Sequence, residues 1–547
     1  MQPLPSRSDR LQGLLNDSHD VLIVGGGITG AGVALDLAQR GLRVAILERE
    51  DWAAKTSSAS SRLIHGGLRY LEQASFGLVR ESCIERKRLL NNAAGLVWPE
   101  RFLFPLHRGA EVGPWKLGAG LLLYSALSIP HVLGCPGPLS RAALSRSIPG
   151  IRQEGLRGGG HYLDGASDDA RLCLAVIQSA MQSGACALSR MEVLGVEGAA
   201  SAAELRVRDR LSGEEHELKA KAVVLAGGPY TDALRASAGQ SSNWLAPTRG
   251  AHILVPRERL FTDGAVILPS AVDGRILFLL PWQRYTVIGT TDIDVSGTPN
   301  PQPVASAEEV RYLLDSANAL VPAAELGAAD VVSSYAGLRP LLRAKGLDPS
   351  ARSREERIER ERSIYTIAGG KLTGYRHMAE TLGARIAKDL DLGNSRRASP
   401  TRSLRLHGAL AQPVGRPSWS SDPASLGAAE AQRRQWTWQV RYGSLAAQVE
   451  ASCNATAAGW QPLSPDTWAG ELDWAVTRED CLGAEDFFFR RTDLGLEPRA
   501  QVEARVPEIL SRMAMLLGWD SERQNSESKS LLTNLAGRHA WREKSLG

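Results

Sequence analysis

The feature that most constrains this chain is a glycine-rich turn between an apolar strand and a helix near the N-terminus. Asp20–Val24 is predicted to be a short buried strand, and the motif Gly25-Gly26-Gly27-Ile28-Thr29-Gly30 follows it directly. The helix that comes next is closed by Gly41, and a second strand, 42–47, ends in Glu48. Strand, GxGxxG turn, helix, strand and acid in this order are typical of a βαβ unit that binds a dinucleotide.

Each motif residue has its own task in such a unit. Gly25 permits the tight turn, Gly27 lets the backbone approach a pyrophosphate, and Gly30 lets helix and strand pack closely. The helix N-terminus stabilises phosphate charge, and Glu48 can accept hydrogen bonds from both ribose hydroxyls. The segment therefore predicts dinucleotide binding.

Composition excludes several other classes of protein. The 547 residues are 43% hydrophobic and 23% charged, which is typical of a folded chain of several domains. A formal charge of +4 is small for a protein that binds nucleic acid by neutralising phosphates, so no nucleic-acid partner is expected. Six cysteines lie far apart without a CxxC pair, which argues against a disulfide scaffold and against a metal site.

The sequence also bears on membranes. The first twenty residues lack the apolar core of a signal peptide, so we expect the chain to stay in a reducing, cytoplasmic compartment. The longest uncharged stretch, Leu117–Leu139, is broken by glycines and by Pro130, and no spanning helix is predicted there. A packed core element is the favoured interpretation of this stretch, and contact with a membrane surface is the alternative.

Two later segments indicate which dinucleotide is bound. The stretch 222–229, AVVLAGGP, is a second apolar strand that ends in a glycine turn, and a similar strand and turn near Ile364 lead into a long amphipathic helix. A nucleotide fold to which distant parts of the chain return suits a flavoprotein that holds FAD along its whole length. The strand-rich pieces 251–258, 274–282 and 285–294 predict an antiparallel sheet that carries the substrate.

Longer motifs carry a resemblance to a known family. The segment Thr56–Leu71, TSSASSRLIHGGLRYL, resembles the signature of FAD-dependent glycerol-3-phosphate dehydrogenases. Further segments follow in the family's order, and together they cover roughly residues 20 to 495: DDARL at 168–172, GTTD at 289–292, GLRPL at 337–341, GGKLT at 369–373, RYG at 441–443, EL at 471–472 and RRT at 490–492.

The resemblance implies an α/β (α+β overall) fold, in which an FAD-binding Rossmann-like domain of the D-amino-acid-oxidase type carries an inserted antiparallel-sheet substrate domain and a C-terminal helical cap. The predicted boundaries are an N-terminal extension at 1–19, a discontinuous FAD-binding domain at 20–100, 160–235 and 345–392, a substrate-binding domain at 101–159 and 236–344, a C-terminal helical domain at 393–520 after a linker, and a loose polar tail at 521–547.

The cofactor site is predicted from small and hydroxyl-bearing residues. The hydroxyls of Thr56, Ser57, Ser58, Ser60 and Ser61 can crowd around a pyrophosphate. Gly66-Gly67 and Gly369-Gly370 lack side chains, as backbone that lies against a flat isoalloxazine ring requires. The turn Lys371-Leu372-Thr373 continues the second pair, and the helix after it would stabilise negative charge at flavin N1 and O2.

The resemblance also implies a phosphate site and a catalytic base. Phosphate oxygens suit convergent, permanently charged donors, and the family's site maps onto Arg69, Tyr70, Arg339, Arg354 and Lys371. Loss of a hydroxyl proton needs a base, for which His252 is favoured slightly over His65. Arg339 can also stabilise the developing alkoxide.

The resemblance implies oxidation of sn-glycerol 3-phosphate to dihydroxyacetone phosphate, a step of glycerol metabolism, by hydride transfer to FAD N5. Electrons would pass to a membrane quinone from a peripheral protein on the inner face of the cytoplasmic membrane. Trp115 and Trp282 are considered as interfacial anchors, although buried packing is favoured for both. An oxygen-using glycerol-3-phosphate oxidase, an amine or amino-acid oxidase, and a non-catalytic flavin-binding protein are the alternatives, and a homodimer is left open.

Overall fold

The structure is a computed structural model that describes residues 5–71, 75–109, 112–270, 272–343, 355–391, 399–417 and 426–543, without the side chains of Arg69 and residues 426–431. Its strands are β1 (His19–Val24), β2 (Val44–Leu47), β3 (Leu63–Ile64), β4 (Val97–His107), β5 (Gly137–Leu139), β6 (Leu156–Ser167), β7 (Cys186–Leu188), β8 (Met191–Gly198), β9 (Ala203–Asp209), β10 (Glu215–Leu225), β11 (Thr248–Pro256), β12 (Ala265–Pro269), β13 (Ile276–Trp282), β14 (Tyr285–Gly289), β15 (Ile293–Asp294), β16 (Ser333–Arg339), β17 (Glu356–Glu361), β18 (Ile364–Gly369), β19 (Pro462–Ser464) and β20 (Thr467–Trp468).

The helices are α1 (Arg7–Asn16), α2 (Ile28–Gln39), α3 (Phe76–Asn92), α4 (Pro114–Leu127), α5 (Arg141–Ser147), α6 (Asp169–Gln182), α7 (Thr231–Ser237), α8 (Ala307–Leu320), α9 (Tyr375–Asp389), α10 (Leu426–Tyr442), α11 (Ala446–Asn454), α12 (Ala469–Arg478), α13 (Ala484–Asp486), α14 (Arg499–Leu517) and α15 (Ser521–Gly537). Short 3-10 turns, including Thr56–Ser58 and Leu68–Leu71, lie between them.

The first sheet forms the nucleotide-binding half of the molecule. Its strands run in the order β17-β18-β10-β1-β2-β7, and β18, β10, β1, β2 and β7 are parallel. Alternate residues of β1 reach both faces, so Val21 and Ile23 pack on α2, α6 and α9 while Leu22 and Val24 pack against the β8–β9 hairpin. A sheet covered on both faces explains why β1 is a continuous apolar run.

The second sheet is mostly antiparallel and runs in the order β15-β11-β14-β13-β12-β4-β6-β3, with β16 paired to β11 and β5 to β6. One face packs on α5 and α8, and the other on α4 and a group of aromatic side chains. Its strands come from the two predicted substrate segments and, in addition, from predicted FAD segments, which supply β3, most of β6 and the start of β4. The predicted fold class, an FAD-type α/β domain with an antiparallel sheet and a C-terminal helical region, is confirmed.

The C-terminal helices correct one expectation. The residues from 521 onward were expected to form a loose polar tail, but Ser521–Gly537 is the helix α15. Leu531 and Leu535, one turn apart, are buried against α12 and α14. The linker is predicted to begin after about Leu392, and residues 392–398 lie outside the described part of the chain.

Buried ion pairs join the C-terminal helices to the nucleotide-binding half. The carboxylate of Asp51 accepts hydrogen bonds from Arg490 (2.6 Å) and from Arg491 (2.7 and 2.9 Å), and all three side chains are buried. Burial raises the pKa of the Asp51 carboxyl, but the two guanidinium groups outweigh it and hold the pKa well below its ordinary value. Arg171 forms a second such pair with Glu479, at 2.6 and 2.7 Å. The family-like DDARL and RRT motifs therefore lie at a domain contact.

Helix α4 combines a buried and an exposed apolar side. Leu117 and Leu121 are buried, whereas Trp115 is 93% exposed and Leu122 is 70% exposed. The expectation of buried packing is correct for Trp282, which is 6% exposed, but wrong for Trp115. Among the described residues, none of the helices combines the length and the apolar character that crossing a membrane requires.

We predict that Asp51→Asn destabilises the docking of the C-terminal helices. Breaking a buried ion pair leaves the cations Arg490 and Arg491 uncompensated, at a cost of about 3–5 kcal/mol. The Tm should fall by at least about 5 °C, and limited proteolysis should release a C-terminal fragment earlier. Glu503→Gln, which breaks an exposed ion pair with Arg499, is the control and should leave both readouts nearly unchanged. Equal effects of the two substitutions would contradict this role for Asp51.

Candidate active site

A cavity of about 950 Å³ lies between the two sheets, where β1, β10 and β18 end. This volume is near the upper end of the range for ligand and cofactor sites. The predicted site residues that line it are Gly25, Gly27, Glu48, Thr56, Ser57, Ser60, Ser61, His65, Gly67, Tyr70, His252, Arg339, Gly369, Gly370, Lys371, Leu372 and Thr373. Gly30, Ser58 and Gly66 do not line this cavity, while Arg354 and the side chain of Arg69 lie outside the described part of the chain.

The glycine turn is as tight as its motif predicts. Gly25 has a φ of +113°, and a Cβ at this position would lie 2.5 Å from the carbonyl oxygen of Ala226. A Cβ at Gly30 would collide with the carbonyl oxygen of Gly25, so this glycine serves helix packing rather than the cavity wall. Gly27 caps the N-terminus of α2, which therefore begins at the cavity.

Glu48 fixes the loop that follows β2. One carboxylate oxygen accepts the N–H of Gly26 at 2.6 Å, and the other accepts the N–H of Glu50 at 2.8 Å. Burial raises the pKa of Glu48, and these two hydrogen bonds oppose the rise only in part. Since each oxygen keeps a second lone pair, the carboxylate remains able to accept ligand hydroxyls.

The hydroxyl groups of residues 56–58 have different partners and surroundings. Ser57 Oγ accepts the N–H of Ile28 at 3.0 Å and so joins the segment to the start of α2. Thr56 Oγ1 donates to the carbonyl of Leu338 at 2.7 Å, which ties the segment to β16. Ser58 lines a smaller neighbouring cavity instead of the main one.

Ser60 and Ser61 hold two groups that lie far away in the sequence. Ser61 Oγ is 2.9 Å from Nε2 of His252, and the backbone N–H of Ser60 donates to Asp169 at 2.9 Å. Asp169 lines the cavity and was not among the predicted site residues. Burial raises its pKa to about 6. The DDARL motif was the sequence signal that could have identified it.

Two glycine-containing walls face the cavity and are bonded to each other. Gly67, Gly369 and Gly370 have φ values of +78°, +81° and +79°, which L side chains rarely adopt. Thr373 Oγ1 accepts the N–H of His65 at 3.1 Å, so the HGG turn and the turn after β18 are held together. Gly66 is packed against Tyr124 behind the wall and does not reach the cavity.

The cationic side chains gather near the end of β16. Arg339 donates to Thr290 Oγ1 at 2.8 Å, to the carbonyl of Thr291 at 3.1 Å and to Asp292 at 3.0 Å. Arg275 donates to the carbonyl of the same Asp292 at 2.9 Å and also lines the cavity. Sequence reasoning missed Arg275, because an arginine at the start of a strand carries no motif of its own.

Lys371 and Tyr70 form the other polar side of this region. The ammonium of Lys371 lies 4.8 Å from the ring centroid of Tyr70 and donates to Ser82 Oγ. Both residues line the cavity. The structure thus brings Arg339, Lys371 and Tyr70 to one cavity, as the sequence predicted.

His252 is a buried imidazole on β11. It is 2% exposed, and its ring stacks on Tyr335 with centroids 4.6 Å apart and an angle of 12° between the planes. Burial lowers the pKa of His252 to about 3, and the positive charges of Arg339 and Arg62 add to this effect. Among the described residues Nδ1 finds no hydrogen-bond partner. The ring is therefore neutral at physiological pH and able to accept a proton.

Comparison with known proteins places the chain in a family. Residues 20–383 match the model "FAD dependent oxidoreductase", and residues 399–524 match "C-terminal domain of alpha-glycerophosphate oxidase". An aerobic glycerol-3-phosphate dehydrogenase of Staphylococcus aureus (strain USA300) is 36% identical over 401 residues, 72% of either chain. One from Staphylococcus saprophyticus is 32% identical over 537 residues, 95% of this chain and 94% of the relative.

A solved structure is similar along nearly the whole chain. The glycerol-3-phosphate dehydrogenase from Bacillus halodurans, complexed with FAD, superposes with a TM-score of 0.77 at 28% identity and covers 97% of both chains. The present chain belongs to the FAD-dependent oxidoreductase family and, within it, to the aerobic glycerol-3-phosphate dehydrogenases. It is an enzyme, and its cofactor is FAD.

The cavity residues fit this cofactor. The start of α2 at Gly27 offers backbone N–H groups to a pyrophosphate, and Glu48 is placed to bind a ribose. Gly67 and Gly370 keep their two walls free of side chains, which suits a flat ring system. The cavity thus contains the kinds of group that FAD requires.

We predict that His252→Gln changes how stability depends on pH. The folded pKa of about 3 lies below the ordinary value near 6.5, so the unfolded chain binds a proton that the folded chain refuses. As the pH falls from 6.5 to 5, the free energy of unfolding of the wild type therefore decreases by about 2 kcal/mol through this residue. The variant has no imidazole at this position and does not show this decrease. Melting of the FAD-loaded proteins should show a Tm deficit of the variant at pH 7.5 that shrinks at pH 5. A constant deficit would contradict a buried neutral imidazole.

Proposed function

We propose that this flavoenzyme oxidises sn-glycerol 3-phosphate to dihydroxyacetone phosphate and passes the electrons to a membrane quinone. One observation carries the proposal. A single cavity joins FAD-type glycine walls to two cationic side chains, Arg339 and Lys371, and to the buried neutral imidazole of His252. The names of the relatives, which cover nearly the whole chain, supply the substrate.

Substrate recognition is proposed to centre on the phosphate. A phosphomonoester dianion needs charged donors, and the guanidinium group of Arg339 provides a planar fork. Asp292 and the Thr290 hydroxyl hold that fork in place on the cavity wall. Lys371 and Tyr70 contribute from the opposite turn, and Arg69 and Arg354 remain proposed members of the set. Arg275 adds a further positive charge on the same cavity wall.

The proton of the C2 hydroxyl is proposed to go to His252. Because its ring is neutral, it can accept a proton, and the Ser61 hydroxyl and the Tyr335 ring fix its orientation. Arg339, whose charge already lowers the pKa of His252, would stabilise negative charge on the substrate oxygen as that proton leaves. Bound FAD would supply the acceptor of the hydride at C2. His65 stays the second candidate for the base, on the wall next to Gly67.

The remaining wall is largely apolar. Side chains of the second sheet and of α4, among them Phe102, Phe278 and Leu121, line the cavity beside the charged group. Beside an apolar wall, each charge–charge interaction is stronger than it would be in bulk water. The apolar wall therefore strengthens the hold of Arg339 and Lys371 on a dianion.

Helix α4 is proposed to rest on the cytoplasmic face of the membrane. Trp115 and Leu122 present exposed apolar surface, and Ile129, just after the helix, adds to it at 62% exposure. Exposed aromatic and aliphatic side chains of this kind suit the boundary between headgroups and acyl chains. Leu117 and Leu121 of the same helix line the cavity. A lipid-dissolved quinone would thus meet the protein close to the site of substrate oxidation.

We predict that Arg339→Ala lowers kcat/KM for glycerol 3-phosphate by at least about tenfold, since a charge-assisted hydrogen bond is worth about 1.5–3 kcal/mol. Steady-state kinetics and the flavin content of the purified proteins measure this. FAD content should stay near normal. The control Arg343→Ala removes an exposed positive charge outside the cavity and should leave kcat/KM unchanged. Unchanged turnover and affinity in Arg339→Ala would show that this arginine does not touch the substrate.

We predict that the double variant Trp115→Ser, Leu122→Ser floats with anionic liposomes about tenfold less than the wild type, because burial of such side chains provides the binding free energy. Reduction of a soluble dye should persist while quinone reduction falls. Met515→Ser, which removes a 74% exposed methionine from α14, is the matched control and should float normally. Failure of the wild type to float, together with fast peroxide release and negligible quinone reduction, would favour the oxygen-using oxidase.

A further inference from the structure

A second cavity of about 250 Å³ lies next to the active-site cavity. Its walls include residues 54–62, strand β16 and the C-terminal helices. It shares nine lining residues with the main cavity, among them Thr56, Ala59 and Leu338, so the two cavities adjoin. Its other walls come from β16, the turn at Phe489 and the end of α15. The proposed reaction uses none of the groups that α15 contributes.

Three arginine side chains converge on this second cavity, and two of them are neutralised. Arg62 donates to Asp493 at 2.8 Å, and Arg490 donates to Asp51 at 2.6 Å. Arg538 forms no ion pair with any carboxylate of the described residues. Arg538 is therefore the arginine of the group that no carboxylate of the described residues contacts directly, and the charge of Glu485 acts on it from a distance.

The contacts of Arg538 hold its guanidinium group in place but leave donors unused. Nε donates to Asn534 at 3.1 Å, Nη1 lies 3.5 Å from the carbonyl of Ser334, and the group stacks over Phe489 at 4.0 Å. Nη2 makes no hydrogen bond within the described chain. Burial lowers the pKa of Arg538 to about 10, and the charge of Glu485 opposes this only in part. The side chain is still a cation at neutral pH.

A second unused donor lies on the same cavity. Nη1 of Arg62 is buried and makes no hydrogen bond among the described residues, although the carboxylate of Asp168 lies 3.9 Å from it. The carboxylate of Glu485, which also lines the cavity, is already bonded to Ser530 at 2.8 Å and to Asn534 at 3.1 Å. Two guanidinium groups with donors that are not hydrogen-bonded thus line a small cavity, an arrangement that suits an oxyanion.

We propose that this second cavity binds a small phosphate-type oxyanion through Arg538 and Arg62. The site lies directly behind the proposed base. Tyr335, which lines the second cavity, stacks on His252, and its hydroxyl donates to the carbonyl of Ser60 at 3.1 Å. Arg62 follows Ser61, the hydrogen-bond partner of His252. A bound anion therefore contacts the residues that orient His252 without entering the active-site cavity.

The test is thermal melting of the FAD-loaded enzyme with inorganic phosphate against chloride at equal ionic strength. Phosphate should raise the Tm of the wild type by about 2 °C or more, because a ligand that binds only the folded state stabilises it. Part of the rise should remain in Arg339→Ala, which weakens the proposed substrate site, and Lys529→Ala, which removes an exposed charge from α15 outside the cavity, should keep the full rise. Adding Arg538→Ala to Arg339→Ala should abolish the remaining rise.

Arg538→Lys keeps the charge but loses the planar fork, so its apparent phosphate affinity should fall by about tenfold. This variant tests the role of Arg538 even if Arg538→Ala does not fold. Glucose 6-phosphate in place of phosphate distinguishes a phosphomonoester from the free ion: a Tm rise with both identifies a phosphomonoester site, and a rise with phosphate alone identifies the free ion. A rise that vanishes in Arg339→Ala, or that persists undiminished in both Arg538 variants, would overturn the proposal. The test needs no turnover and is independent of the proposed substrate.

Discussion

The buried contact between Asp51 and the arginines Arg490 and Arg491 fixes how the C-terminal helices sit on the rest of the chain. Three buried charges of this kind are stable only when paired, so the C-terminal region can dock in one register. Asp51 follows Glu48 by three residues, and Glu48 bonds the glycine turn. The same short loop therefore anchors both the cofactor turn and the C-terminal helices. The loop also contributes Glu48 and Glu50 to the outline of the cavity between the two sheets.

Within that outline, the cavity combines positive charge with a neutral base. A histidine beside Arg339 and Arg62 pays a large free-energy cost to become protonated, and burial increases the cost further. The same cations that favour a phosphate ester therefore keep His252 unprotonated. The neutral state of the His252 ring and the attraction for a phosphate ester thus share one electrostatic origin. The second cavity, with Arg538 on its wall, extends this positive region to the other side of Tyr335.

The sequence predicted the parts of the site that follow from local pattern. β1, α2 and Glu48 lie where the motif places them, because tight turns and helix starts depend on neighbouring residues. The contact of Ser61 with His252 joins residues 191 positions apart, and only the pairing of strands across the second sheet brings them together. Helix α15 was missed because two buried leucines one turn apart are a weak signal in a polar segment. Arg275 was missed because its position depends on a contact with Asp292, which lies between β14 and β15.

The most direct test of this account is an anaerobic titration of the FAD-loaded protein with sn-glycerol 3-phosphate, followed by the absorbance of the oxidised flavin. Bleaching should be complete near one equivalent per FAD, with dihydroxyacetone phosphate formed in the same amount. Glycerol, which lacks the phosphate that Arg339 and Lys371 are proposed to bind, should bleach the flavin far more slowly. A flavin that dithionite reduces but glycerol 3-phosphate leaves oxidised would contradict the proposed function.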